Sequence, residues 1–392
     1  MAQPRPGKLF TRSFLFLALA DVAYFTGGGM LVTATPLFVT DRLGGGSSGV
    51  GVAFGVFSVA TLVLRPWAGR WSDRRGRRLP MLVGTDAFAV ITLGHLVVTG
   101  LVGLVALRLV LGAAEALFFV AGFAMLADIA PVGRAGEALS YASLGLFTGL
   151  AVGPPLAQWL LRAGGFVPVW WTAALLAGAA LLFVALVPET RSPTDPAEPV
   201  PRLLYRPALA PGVALLAGGA PAAGFLAFGV LYARDLGMER WSLLPFAYGG
   251  TVVLCRIVFA KLPDRVPSVP LAIAALGVAT VGLVSLGVAR RPAGLIAAAI
   301  LIGLGTALLT PSVFALVFAR APAHLRGSAA ATTSIFIDLG LSGGPVLVGL
   351  LAAAASLPTA FLASALLPVV GALVLAGSAI RGGNRTLRRC ET

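Results

Sequence analysis

The sequence predicts an all-α integral membrane protein, with twelve transmembrane helices in two parallel, pseudo-symmetric six-helix bundles. Three observations lead to this prediction: the composition, the spacing of the apolar segments and an internal repeat. Of the 392 residues, 58% are hydrophobic and 11% are charged, whereas a soluble domain has about 25% charged residues. The chain is therefore too apolar for a soluble domain.

An apolar run of about 20 residues can cross the hydrocarbon core of a bilayer as a helix. Lipid offers no partner to a free backbone N–H or C=O, so each run must be helical or part of a closed barrel. The two-residue alternation typical of a barrel is absent. We predict helices at residues 12–40, 47–69, 79–99, 101–128, 136–162, 166–187, 208–233, 242–260, 268–289, 293–319, 327–353 and 357–380.

The most polar interior stretch, 188–206, is rich in proline and in charges of both signs. This composition disfavours a helix and is typical of an extended linker in water. It divides the chain into an N-terminal six-helix bundle (1–187), a cytoplasmic linker (188–206) and a C-terminal six-helix bundle with a basic tail (207–392).

Positive charge marks one side of the predicted membrane. The net charge is +14, but the basic residues form short clusters between apolar segments rather than one basic face, which argues against nucleic-acid binding. They lie mainly at the N-terminus, in the connections after even-numbered helices and in the tail. Because cytoplasmic connections are enriched in Lys and Arg, we expect both termini in the cytoplasm of a bacterial cell and the helices in its inner membrane.

An internal repeat occurs at a single offset of 191 residues. It relates Arg65 to Arg256, Asp73 to Asp264, Arg74 to Arg265, Gly112 to Gly303, Pro131 to Pro322, Gly149 to Gly340 and Pro154 to Pro345. An offset that spans six helices preserves orientation, so the halves are parallel repeats. Such repeats are typical of transporters with a substrate site between the halves.

The connection after the second helix carries a motif, G-R-W-S-D-R-R-G-R-R from Gly69 to Arg78. It resembles the loop motif G-x-x-x-D-R-x-G-R-R of the major facilitator superfamily. The resemblance covers essentially the whole chain, because the twelve spans, the central linker and the repeat also match. It implies a secondary transporter that works by alternating access.

The same loop is predicted to form a cytoplasmic gate. Glycine permits a close helix approach or a tight turn, and an aspartate here can pair with a cation or a helix N-terminus across the interface between the halves. The predicted gate residues are Gly69, Asp73, Arg74, Gly76, Arg77, Asp128, Asp264 and Arg265. Alternatively, the arginines only set the topology and bind anionic lipid headgroups.

The fourth helix places Arg108, Gly112 and Glu115 on one face. A charge within the membrane costs at least about 2.5 kcal/mol unless it is paired or hydrated, so Arg108 is expected to face a cavity or a carboxylate. The pattern R-x-x-x-G resembles the helix-4 motif of the drug:proton antiporter branch of the superfamily, which implies a role for Arg108 in proton coupling. The alternative is a structural Arg–Glu pair between helices.

Carboxylates in membrane helices are candidate proton carriers, because burial disfavours the charged form. Asp21 in the first helix, Glu115 and Asp338 in the eleventh helix are the candidates, and the resemblance favours Asp21 and Glu115 because it places helices 1 and 4 around the cavity. The alternative for each is a hydrogen bond to a neighbouring helix.

The fifth helix has a row of glycines, Gly145, Gly149 and Gly153, followed by Pro154. Such a row permits close helix packing. It partly resembles the antiporter motif G-x-x-x-G-P-x-x-G-G, whose final glycine pair is Ala157–Gln158 here. The eleventh helix repeats the pattern at Gly344 and Pro345. The alternative is tight helix packing without a role in antiport.

A predicted substrate cavity is lined by aromatic residues: Tyr24, Phe25, Phe118, Phe119, Phe225, Phe228 and Phe314. Side-chain amides are scarce in the spans, which argues against a dedicated sugar site. The sequence has no phosphate-binding loop or metal-ligand cluster, so we expect no enzyme activity, metal or cofactor.

The leading hypothesis is export of small hydrophobic or amphipathic compounds, driven by the proton gradient and carried out by a monomer in the lipid bilayer. Import or facilitated diffusion of a small nutrient or organic anion is the alternative, and a membrane receptor or scaffold is a third.

Overall fold

The computed structural model describes residues 10–131, 135–190, 205–259, 266–322 and 325–390. Within these ranges it has thirteen α-helices: α1 Arg12–Asp41, α2 Ser47–Arg75, α3 Arg78–Leu93, α4 Leu101–Ile129, α5 Ala135–Gly164, α6 Phe166–Ala185, α7 Leu209–Asp235, α8 Leu243–Val258, α9 Ser268–Val288, α10 Pro292–Arg320, α11 Arg326–Ala354, α12 Leu357–Ser364 and α13 Leu366–Cys390. This confirms the predicted all-α fold.

In the described part of the chain, 11 helical segments are long and apolar enough to cross a membrane. The eighth predicted span, α8, is apolar but has only 16 residues. The twelfth predicted span is divided into α12 and α13, which together give one apolar segment, Leu357–Ser378.

The second helix is longer than the sequence predicts. We expected it to end at residue 69, but α2 continues to Arg75, so the first half of the loop motif is helical. The helix ends where Gly76 adopts a φ of 93°, a conformation that favours glycine.

The chain divides into two compact units, one formed by Met1–Gly45 and Val56–Ala197 and the other by Gly46–Gly55 and Glu198–Thr392. In the first unit, α1 packs on α5 and α6, and α3 packs on α4 and α6. In the second, α7 packs on α11 and α13, and α9 packs on α10 and α13. The same order of neighbours in both units matches the repeat in the sequence. Most of the predicted linker, 188–206, lies outside the described residues.

Glycines bring the first and fifth helices of each unit into close contact. A Cβ atom on Gly149 or Gly153 would lie 2.6 Å from a backbone atom of Thr26 on α1. In the second unit, a Cβ on Gly344 would overlap the backbone of Ala220 on α7. Pro154 and Pro345 lie within α5 and α11, directly after these contacts.

Candidate functional site

An aromatic cluster lies at the centre of the first unit. The Tyr24 ring on α1 stacks on Phe118 of α4, with centroids 3.8 Å apart and planes 6° apart. Phe88 and Phe25 complete the cluster at 4.5 and 5.4 Å from Tyr24. Tyr24 and Phe118 have 0% and 1% of their surface exposed, so in this structure they support the site rather than offer a surface to a solute.

Two carboxylates adjoin this cluster. Glu115 on α4 is partly exposed, and the buried Tyr24 hydroxyl faces it without a hydrogen bond of normal geometry. Asp21, one turn before Tyr24, is 7% exposed and lies within electrostatic range of Glu115. A Cβ on Gly145 would lie 2.8 Å from the Asp21 Cβ, so the glycine row of α5 gives this side chain its space.

The cation near Glu115 is Arg65 of α2, which the sequence analysis did not include in the site. Its positive charge acts on Glu115, and its Cζ atom lies 4.7 Å from the centroid of Phe119. The repeat contained a signal for this residue, because Arg65 and Arg256 occupy equivalent positions.

Arg108 has different neighbours. It is 3% exposed, and its Cζ atom lies 5.2 Å from the Phe57 ring centroid. Its charge acts on His95, whose ring stacks on Trp170 at 4.5 Å. The His95 Nδ1 atom is 3.0 Å from the Thr92 carbonyl. Arg108 is therefore part of a buried aromatic environment in the first unit.

The second unit lacks the carboxylate at the equivalent position. Thr306 stands 191 residues after Glu115; its hydroxyl donates to the Ile302 carbonyl at 3.0 Å, and it lies near Tyr248 of α8. Arg256 lies within electrostatic range of the same tyrosine. Both units thus keep an arginine beside an aromatic residue, but the titratable carboxylate is specific to the first.

The other predicted site residues of the second unit are mostly buried. Asp338 is 6% exposed, and its carbonyl accepts a hydrogen bond from Ser342 at 2.7 Å. Phe225 and Phe228 are 1% and 0% exposed, so they too offer no surface to a solute in this structure. Phe314 is partly buried and packs against the core of this unit.

The predicted gate loop contains an ion-pair network. The Arg77 guanidinium binds Asp73, one turn earlier, and its Nε atom donates to Asp128 of α4 at 3.4 Å. Burial lowers the pKa of Arg77, but the bond to Asp73 and the charge of Asp128 outweigh this and raise it above its ordinary value. The Thr190 hydroxyl donates to Asp128 at 2.9 Å. All these contacts lie within the first unit.

The Glu189 carboxylate caps the N-terminus of α3. Its oxygens accept hydrogen bonds from the backbone N–H groups of Arg77 at 2.8 Å and Arg78 at 3.0 Å, where α3 begins. For Asp73 the sequence left open a cation or a helix N-terminus as the partner, and in the structure Asp73 pairs with a cation, Arg77 of the same unit. A Cβ on Gly76 would collide with the Glu189 carboxylate, so this glycine makes room for the cap.

We expect Glu189→Ala to destabilise the protein by about 0.5–2 kcal/mol, the usual cost of losing a capping side chain. Two N–H groups of α3 lose their charged acceptor, which also interacts favourably with the helix dipole. The measurement is thermal unfolding in detergent. Glu239→Ala, which removes another exposed carboxylate, is the control, and equal unfolding midpoints for the two variants would contradict the capping role.

The remaining gate residues contribute less to this network. A Cβ added at Gly69 would lie 3.9 Å from the Val120 side chain, an ordinary contact distance, so no close helix approach depends on this glycine here; Arg74 is exposed. Asp264 and Arg265, their counterparts in the second half, lie outside the described residues.

Comparison with known proteins identifies the family. The family model described as Major Facilitator Superfamily matches residues 17–345. The chain belongs to the major facilitator superfamily. A Pseudomonas aeruginosa protein named as an uncharacterized MFS-type transporter is 32% identical over 394 residues, which is 97% of each chain. A Salmonella typhimurium protein with the same kind of name is 27% identical over 92% of this chain and 95% of that one.

Solved structures of the superfamily share the fold. The nucleoside transporter NupG has a TM-score of 0.74 at 14% identity, covering 94% of this chain and 99% of its own. The human organic anion transporter MFSD10 has a TM-score of 0.72 at 16% identity, covering 93% and 99%. Membership of the superfamily makes this chain a multi-pass membrane transporter and not an enzyme.

Proposed function

We propose that this transporter exports small hydrophobic or amphipathic compounds in exchange for protons, by alternating access. The observation that carries the proposal is the pair of carboxylates, Glu115 and Asp21, beside the aromatic cluster of the first unit. Glu115 is the 15th residue of a 29-residue helix, so it lies about 20 Å from either helix end. An ionisable group at this depth is costly and is typical of a proton or ion pathway.

The environment of Glu115 supports a role in coupling. Arg65 favours the charged form of Glu115, and a bound solute that displaces water from this partly exposed side chain would favour the neutral form, so solute occupancy can shift its protonation. Thr306 at the equivalent position has no proton to exchange near neutral pH, which supports a proton step at Glu115 in the first unit.

The aromatic and apolar surroundings support the proposed substrate class. Phe119 and Phe25 border the Glu115 region, and few polar groups are available to orient a sugar. If the solute and the proton favour different conformations, the movement of protons down their gradient would drive the solute in the opposite direction. The proton gradient is the energy source in this proposal, and the monomer is the functional unit in a bacterial inner membrane with both termini in the cytoplasm.

The test is transport of a panel of fluorescent hydrophobic compounds into proteoliposomes with an imposed pH gradient. We expect a compound to move against its own gradient when protons move in the opposite direction, and to stop when an ionophore collapses the pH difference. Transport that is indifferent to the gradient for every compound would exclude proton coupling.

Import or facilitated diffusion of an organic anion is the second candidate. Arg65 and Arg108 are cations within the spans of the first unit, where they can attract an anion. The same assay distinguishes the two functions, because an importer of this kind takes up an anionic solute down its gradient and does not exchange it for protons.

A further inference from the structure

The outer face of α2 carries a row of side chains whose chemistry changes along the helix. Val59, Val63 and Trp67 are 49%, 66% and 53% exposed, and Arg70 and Arg74 follow at the same helical spacing and are also exposed. Steps of three and four residues keep all five on one face. Over about 22 Å, this face passes from apolar to aromatic to cationic.

That order corresponds to the layers of a membrane leaflet. Valines suit the hydrocarbon, tryptophan is enriched at the interface, and arginine side chains near helix ends reach the headgroups. Arg70 and Arg74 are one to two turns beyond Trp67, so with Trp67 at the interface their guanidinium groups would lie at the depth of lipid phosphates.

A second tryptophan fixes the position of the first. Trp71 packs against Ala68 and Leu117 in the core of the first unit, and its ring centroid is 5.2 Å from that of Trp67. Trp67 is therefore held against the protein surface rather than free, and it forms one wall beside the two arginines.

The arginines of this segment divide into two groups. Arg77 binds Asp73 and Asp128, and Arg78 donates to the Ala185 carbonyl. Within the described ranges, Arg70 and Arg74 have no carboxylate or carbonyl partner. Their charge is available to an anion, and a guanidinium can bind two oxygens of one phosphate.

We propose that Trp67, Arg70 and Arg74 form a binding site for an anionic phospholipid of the leaflet that contains the α2–α3 connection. The guanidinium groups bind the phosphate, and the acyl chains lie along Trp67, Val63 and Val59. Because this face is separate from the Glu115 cluster, the site does not depend on the proposed transport reaction.

The test uses the purified full chain in nanodiscs of phosphatidylcholine with increasing phosphatidylglycerol, with bound lipid counted by native mass spectrometry. Each arginine near a charged membrane surface contributes about fivefold in affinity, so Arg70→Gln/Arg74→Gln should weaken retention of phosphatidylglycerol by about 25-fold. Arg70→Lys/Arg74→Lys should fall between this variant and the original protein, because lysine keeps the charge and loses the two-point contact.

The matched control is Arg240→Gln/Arg291→Gln, which removes two exposed arginines from connections that the distribution of basic residues predicts on the non-cytoplasmic side. An equal loss of phosphatidylglycerol in this control would overturn the proposal, since only general surface charge would then be involved. Competition by soluble glycerol phosphate at the same concentration would also overturn it, because the proposed occupant is a lipid. Unfolding midpoints in pure phosphatidylcholine verify that the variants fold. If the glutamine variant does not fold, the lysine variant decides the outcome, and phosphatidylglycerol retention equal to that of the original protein would then overturn the proposal.

Discussion

Replacement of Glu115 by Gln is expected to abolish transport driven by a pH gradient while it leaves solute binding measurable. Glutamine has nearly the same shape as glutamate but cannot exchange a proton. Proton binding and solute binding are therefore no longer coupled in the transport cycle. Coupling between sites is typically about 1–3 kcal/mol, or about 5–150-fold in affinity. In the original protein, solute affinity should therefore change with pH by a factor in this range, and we expect the Glu115→Gln variant to lose this change.

The measurement is solute binding at several pH values together with flux in proteoliposomes. Asp86→Asn is the matched control, because Asp86 is also a carboxylate in a membrane helix but is exposed on α3. Asp21→Asn is expected to give a smaller loss, since Asp21 interacts with Glu115 from the neighbouring helix. Unchanged pH dependence in Glu115→Gln would exclude it as the proton site.

The structure also indicates which arginine should respond to Glu115. Glu115→Gln removes a negative charge that interacts with Arg65 within the span, and removal of one partner of a buried charge interaction is destabilising. We therefore expect Arg65→Gln to restore part of the thermal stability lost in Glu115→Gln. Arg108→Gln in the same background is the control, because Arg108 adjoins His95 and Phe57. Equal recovery with both would show that Arg65 has no special relation to Glu115.

Gly344→Ala should have a large effect on folding. Its added methyl group would overlap the backbone of Ala220, and two packed backbones cannot move apart without losing the contacts around them. Overpacking usually costs about 1–3 kcal/mol, and we expect the upper part of this range, with a lower yield of folded protein.

Gly343→Ala provides a direct comparison. A Cβ atom at Gly343 has nothing within 4 Å, although it occupies the same helix and the adjacent position. We expect its unfolding midpoint to match the original protein or to rise slightly, because alanine has the higher helix propensity. Similar midpoints for the two variants, measured by thermal unfolding in detergent, would refute the close α7–α11 contact.

The sequence alone determined that the chain is helical and where its apolar segments lie, but not the end of α2 at Arg75 or the division of the last predicted span into α12 and α13. Backbone hydrogen bonds have no alternative partner in lipid, so long apolar segments must be helices. The repeat that relates Gly112 to Gly303 and Gly149 to Gly340 also followed from the sequence, because close helix contacts require small residues at fixed positions. The candidate carboxylates Asp21 and Glu115 could be selected because charge is rare and costly within spans.

Only the tertiary structure decided which side chains meet. A membrane helix is apolar on every side, so its pattern does not show which face is turned to a neighbour, as it would in a soluble helix. The neighbours of Arg65, Arg108 and Glu115 depend on helix rotation and depth, which packing sets. Likewise, the cap of α3 comes from Glu189, more than 100 residues away along the chain, and only the return of α6 to the α2–α3 connection brings that carboxylate to the helix N-terminus.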